Sequence, residues 1–119
     1  KTDDTQNKKE EAVVNTPASN VPTPQNGVNY RVQIMALHRT IDVSYFQSTY
    51  QIGEKVAIDM HEGWTKYMVG SFSEYRSTRD HREQIRGKGV AGPFVTAYNN
   101  GKRITVQEAL MITNQKWYK

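Results

Sequence analysis

The chain has 119 residues, a formal charge of +4 and a pI near 9.4, contains no cysteine and is 36% hydrophobic. This length suits one domain and excludes a large multi-domain enzyme, while the lack of cysteine excludes disulfides, cysteine-ligated zinc and thiol chemistry. The longest apolar runs, residues 34–37 and 109–112, have four residues each, against roughly 20 for a membrane-spanning helix, so no transmembrane segment is predicted.

The N-terminal quarter of the chain differs in composition from the rest. Residues 1–29 contain no aromatic residue and three of the four prolines. Such a segment cannot bury enough apolar surface to offset the entropy lost on ordering. We therefore predict a disordered linker or tail over 1–29 and a globular domain over 30–119, which also holds the basic excess.

The first half of this domain combines strand and helix patterns. Residues 30–35 alternate, with positions 30, 32 and 34 facing a core, and predict a strand. Asp42 is predicted to cap a short helix. Residues 55–60 and 64–69 alternate on either side of the turn at 61–63, which predicts a hairpin.

The second half continues with a helix that begins at Ser73 and ends at Gly87. Residues 94–98 predict a strand rich in aromatic and β-branched side chains, and residues 99–101 a hairpin-type turn. Residues 105–108 form a capping box before a short final helix. The predicted fold is α+β of the βαββαβ type. It has a four-stranded, mainly antiparallel sheet with helices on one face, the other face open, and an added C-terminal helix.

The open face of this sheet is the predicted binding surface. The outward positions of the first and third strands place on it Arg31, Gln33, Met35, Trp64, Lys66 and Met68. An amide donates and accepts hydrogen bonds, an indole offers a flat apolar surface with one donor, and the cations suit carboxylates. This combination suits a sugar polymer with carboxylate groups.

Several segments resemble SPOR (sporulation-related repeat) domains. Residues 30–34, Tyr-Arg-Val-Gln-Ile, and 63–72, Gly-Trp-Thr-Lys-Tyr-Met-Val-Gly-Ser-Phe, are similar to the two signature segments of that family. Residues 86–89 and 94–104 resemble the closing portion of many envelope versions. The resemblance covers roughly residues 30–112.

The resemblance implies an RNP-like fold and a non-catalytic module of the bacterial cell envelope, in the periplasm. It implies binding to peptidoglycan glycan strands stripped of their stem peptides, which mark the division septum, and possible contacts with other cell-division or envelope proteins. Gln33 matches the family's first-strand glutamine, Trp64 its aromatic position and Lys66 its basic position. Val95 matches an apolar contributor on the last strand.

Two other binding functions fit the same predicted fold. One is an RNA-recognition-like module that binds single-stranded nucleic acid, since the domain is basic and its sheet open, although the first strand offers no outward aromatic residue. The other is a protein–protein adaptor, which the adaptable pair Met35 and Met68 would suit.

Catalysis is not predicted. The chain has no G-x-S-x-G motif and no glycine-rich phosphate loop. His38, His61 and His81 lack the spacing of metal ligands. We therefore predict no enzyme activity, no metal and no cofactor.

Overall fold

A computed structural model describes residues 27–119 of the chain. Within this range the elements, in chain order, are β1 (Val28–Leu37), α1 (Ser44–Tyr50), β2 (Val56–His61), β3 (Trp64–Phe72), α2 (Tyr75–Gly87), β4 (Phe94–Asn99), β5 (Lys102–Ile104) and α3 (Val106–Thr113). None of these helices is long and apolar enough to cross a membrane.

The strands form one antiparallel sheet in the order β2-β3-β1-β4-β5. The α+β class and the antiparallel sheet are confirmed, but the described sheet has five strands where four were predicted. The turn at Asn100 and Gly101, both at positive φ, reverses the chain so that β5 pairs with the end of β4. A three-residue strand is too short for alternation to reveal it in the sequence.

All three helices pack against one face of the sheet, here called the inner face. The predicted core positions of the first strand are confirmed, since Tyr30, Val32 and Ile34 are buried. Val32 and Ile34 pack with side chains from α1 and α2, and Tyr30 packs with side chains from α2 and α3. The opposite surface, the outer face, is not covered by a helix of residues 27–119.

A glycine bulge interrupts the pairing of β1 with β3. Tyr30 pairs with Phe72 and Val32 with Val69, so β3 carries one extra residue there. Gly70 supplies it with φ of 76°, and a Cβ at Gly70 would lie 2.5 Å from the Phe72 ring. Only glycine fits this position without strain.

A second irregularity reverses the alternation of β1. Gln33 pairs with Met68 and Met35 with Tyr67, so β1 carries the extra residue Ile34 between them. Beyond this bulge the odd-numbered side chains turn to the inner face. Met35 therefore packs against the core, and its predicted position on the open face is wrong.

The ends of the elements follow local hydrogen bonding. The capping box predicted before α3 is confirmed, because Thr105 and Glu108 bond reciprocally. Asp42 accepts a hydrogen bond from the Ser44 N–H at 2.8 Å and so ties the start of α1, although Val43 is the N-cap residue. The N-cap residue of α2 is Glu74, one residue after the predicted Ser73.

The boundary between the predicted tail and the domain lies earlier than expected. Val28 and Asn29, assigned to the tail from composition, form the start of β1 and pair with Asn99 and Tyr98. The rest of the predicted tail, residues 1–26, lies outside the described residues.

Candidate functional site

Five of the seven predicted site residues share the outer face, because they alternate with core residues along β1 and β3. Arg31 and Gln33 come from β1, and Trp64, Lys66 and Met68 come from β3. The antiparallel register sets Gln33 beside Met68 on one side and Phe94 of β4 on the other. The outer face is therefore continuous across the middle of the sheet.

Gln33 lies in the middle of this face with unused hydrogen-bonding capacity. Its residue exposure is only 7%, and its Oε1 is enclosed without a hydrogen-bond partner among the described residues. A buried, unsatisfied oxygen of this kind costs roughly 1–3 kcal/mol of stability. Native proteins rarely keep one without a reason, and a ligand donor is one such reason.

Trp64 begins β3 next to the hairpin turn and is 40% exposed. Its indole is stacked on the His38 ring, with 3.7 Å between ring centroids and 33° between ring planes. The Nδ1 atom of His38 lies 3.4 Å from the Gly63 carbonyl oxygen. His38 thus holds the indole from one side, and the exposed remainder of the ring is open to a ligand.

Met68 lies on the outer face but is fully buried, so its predicted availability to a ligand is wrong. The cause is Tyr98, which reaches across from β4 and donates a hydrogen bond to the Met68 Sδ at 2.6 Å. The Tyr98 hydroxyl also accepts from Thr96 Oγ1 at 3.4 Å. These three side chains cover the middle of the face without a helix.

Tyr98 also anchors two cations. The guanidinium carbons of Arg31 and Arg103 each lie 5.8 Å from the centre of its ring, within cation–π range. Burial lowers the pKa of the Arg31 guanidinium, while Tyr98 and Asp59 act in the opposite direction. Neither arginine forms an ion pair with a carboxylate of residues 27–119.

A groove of about 490 Å³ is lined by Asp59 and Lys66 from the outer face and by residues of β4, β5 and the start of α3. Asp59 of the edge strand β2 and Arg103 of the other edge strand, β5, both line it. Lys66 on β3, half-buried and in register with Asp59, lies in the wall. The volume is within the usual range for small-ligand sites.

Val95 is not on the open surface. It is buried in the inner-face cluster with Tyr30 and Ala97, and only part of it reaches the groove wall. The side chains of β4 that face outward are Phe94, which is 45% exposed, Thr96 and Tyr98. Val95, which was predicted as an apolar contact residue, therefore lies on the inner face and contributes only to the groove wall.

Sequence analysis missed Arg103, which lines the groove, and Tyr98, which covers Met68 and contacts Arg103. The alternation of residues 94–98 contained a signal for Tyr98, since an inward Val95 and Ala97 require an outward Tyr98. Arg103 gave no such signal, because it lies in the three-residue strand that was not predicted.

The chain was compared with protein-family models, curated proteins and solved structures, and none of them matches it.

Proposed function

We propose that the outer face binds glycan strands of peptidoglycan and that the domain is a non-catalytic module that targets its parent protein to the bacterial cell wall. The observation that carries this proposal is the enclosed Gln33 Oε1, unpaired among residues 27–119, on a sheet face that no helix of those residues covers. The exposed rings of Phe94 and Trp64 lie on the same face. Sugars present hydroxyl and N-acetyl groups that suit an amide, and apolar ring faces that suit an indole.

The energetics favour a ligand with a hydrogen-bond donor. A donor that reaches the Gln33 Oε1 would recover the roughly 1–3 kcal/mol lost by leaving that oxygen unpaired. Because the oxygen is enclosed, the ligand has to displace a neighbouring side chain to reach it. Only a ligand that forms the hydrogen bond to Oε1 offsets the cost of this displacement. The site therefore selects against ligands that lack a suitable donor.

The resemblance to SPOR domains supports the same ligand class. The residues at its matched polar and aromatic positions, Gln33, Trp64 and Lys66, lie on the outer face of one sheet. The location that follows is the periplasm, and the preferred target is septal peptidoglycan whose stem peptides have been removed.

The test is pelleting of the protein with purified sacculi before and after amidase digestion. Digestion removes stem peptides and is expected to increase the bound fraction. Trp64→Ala should weaken binding by about tenfold or more, a free-energy loss of about 1.4 kcal/mol. Trp117→Ala is the matched control, because Trp117 is 61% exposed and lies outside the sheet, after α3. No binding to either form of sacculi, or equal losses in both variants, would contradict the proposal.

A single-stranded nucleic acid is the second candidate ligand. The exposed rings of Trp64 and Phe94 could stack bases, and Arg31, Lys66 and Arg103 could contact phosphates. Binding to an oligonucleotide that falls steeply with salt would favour this function, because phosphate contacts release counterions. A glycan site with few charges is expected to depend weakly on salt.

The protein-adaptor alternative loses the observation that suggested it. Met68 is buried beneath Tyr98 and Met35 packs against the core. An adaptable methionine surface is therefore not available on the outer face.

A further inference from the structure

The groove contains a cation that is held against an aromatic ring and forms no ion pair within residues 27–119. Arg103 is exposed and lines the groove, and its guanidinium lies against the ring of Tyr98. Tyr98 is itself buried and fixed by its hydrogen bond to Met68. A guanidinium held in this way loses less side-chain entropy on binding than a free surface arginine does.

The acidic residues of the groove form no ion pair with Arg103 within residues 27–119. The Oε1 atom of Glu108 accepts hydrogen bonds from the backbone N–H and the hydroxyl of Thr105 in the capping box. Asp59 lies opposite Lys66 in the β2–β3 register. Within residues 27–119, Arg103 makes no ion pair with either carboxylate.

The half-buried Arg31 adds to the positive field at the same ring. It lies on β1, the other strand beside β4, and its guanidinium carbon is also 5.8 Å from the Tyr98 centroid. Within residues 27–119 it donates one long hydrogen bond, of 3.5 Å, to the Gly70 carbonyl oxygen. Two guanidinium groups at one aromatic ring, neither paired with a carboxylate of the described chain, favour the approach of an anion.

We infer that the groove holds a carboxylate subsite, in which Arg103, stacked on Tyr98, binds a carboxylate carried by a sugar of the ligand. The planar guanidinium offers paired N–H donors that match the two oxygens of a carboxylate. The groove volume of about 490 Å³ leaves room for a sugar ring beside this contact. This inference rests on the proposed function and specifies which chemical group of the glycan is recognised.

The experiment compares two oligosaccharides of equal length. One is the alternating glycan released from amidase-treated peptidoglycan, whose muramic residues carry a lactyl carboxylate, and the other is a chitin oligomer that lacks it. We expect the wild-type protein to bind the carboxylated glycan at least about tenfold more tightly, as a charge-assisted hydrogen bond provides. Arg103→Gln should remove this preference and change chitin binding by less than about twofold.

Lys102→Gln is the matched control. It removes one positive charge from the residue next to Arg103 on β5, and Lys102 does not line the groove. Its preference for the carboxylated glycan should remain. If Arg103→Gln lowers the thermal transition of the protein, a competition experiment on the wild-type protein takes the place of this variant. Free N-acetylmuramic acid should then displace the glycan, and N-acetylglucosamine should not.

The outcomes separate this inference from the proposed function. Equal wild-type affinity for both oligosaccharides, or an equal loss for both in Arg103→Gln, would overturn the carboxylate subsite while glycan binding stands. Failure to bind either oligosaccharide would contradict the proposed function itself. Arg103-dependent binding to polyuridylate in place of the glycan would overturn the subsite in favour of phosphate recognition.

Discussion

Replacing Gln33 with methionine should stabilise the protein while abolishing glycan binding. Methionine keeps the unbranched shape of glutamine and removes the oxygen that is enclosed without a partner. The enclosed Oε1 costs roughly 1–3 kcal/mol because it lost its hydration without gaining a hydrogen bond within residues 27–119. We expect Gln33→Met to recover about 1 kcal/mol, which for a domain of this size raises Tm by roughly 4–8 °C.

The same substitution at Gln115 provides the control and should have the opposite effect. Its Oε1 accepts from the Tyr75 N–H at 2.7 Å, and its Nε2 donates to the Ser73 carbonyl oxygen at 2.9 Å. Gln115→Met would remove both bonds and leave the N–H of the buried Tyr75 unsatisfied. A loss of roughly 1–3 kcal/mol follows.

Both variants are compared with the wild type by urea unfolding and by sacculus pelleting. Gln33→Met should show a higher midpoint with an unchanged m-value, since the surface exposed on unfolding hardly changes. It should fail to pellet with amidase-treated sacculi. A fall in stability of about 1 kcal/mol or more for Gln33→Met would refute the reasoning, because it would mean that the amide contributes a favourable interaction in the folded protein.

Two further predictions concern the bulge and the first helix. Gly70→Ala should destabilise the protein by roughly 1–3 kcal/mol in urea unfolding, because the residue has positive φ and its Cβ would meet the Phe72 ring. Gly87→Ala, with open space around the new methyl group, should be neutral or slightly stabilising, and an equal loss in both variants would contradict the assignment. The hydrogen bond from the Ser44 N–H holds the pKa of Asp42 below its ordinary value of 3.8. The folded state therefore favours the carboxylate, whose contribution is present above about pH 4 and lost as the pH falls through the lowered pKa. Asp42→Asn keeps the acceptor oxygen but does not titrate. As the pH is lowered from about 6 to about 3, the unfolding midpoint of this variant should therefore fall less than that of the wild type. Parallel acid profiles would show that this carboxylate does not contribute.

Much of the secondary structure could be predicted from local sequence. The alternation of Tyr30, Val32 and Ile34 identified the buried side of β1, and the Thr105–Glu108 capping box identified the start of α3. Both signals are carried by residues a few positions apart, whose geometry is set by the strand period or by one turn of helix. Charge and composition likewise favoured a small basic domain, and the order of the predicted elements favoured an open sheet face.

The outward positions of Met35 and Met68 could not be judged in this way. Met35 changes sides because a bulge inserts one residue into β1, and whether a bulge forms depends on how β3 pairs with it. Met68 faces the predicted side but is covered by Tyr98, which lies 30 residues later in the chain. Alternation specifies a face only while the register is regular, and it does not show what covers that face.

The sequence by itself determined the strand and helix pattern and brought Gln33, Trp64 and Lys66 forward as candidates. Only the tertiary structure decided that the Gln33 Oε1 is enclosed without a partner among residues 27–119 and that Arg103 and Asp59 line the same groove. The physical reason is that burial and pairing depend on contacts between distant strands. Those contacts follow from sheet order, bulges and curl, which no local pattern encodes.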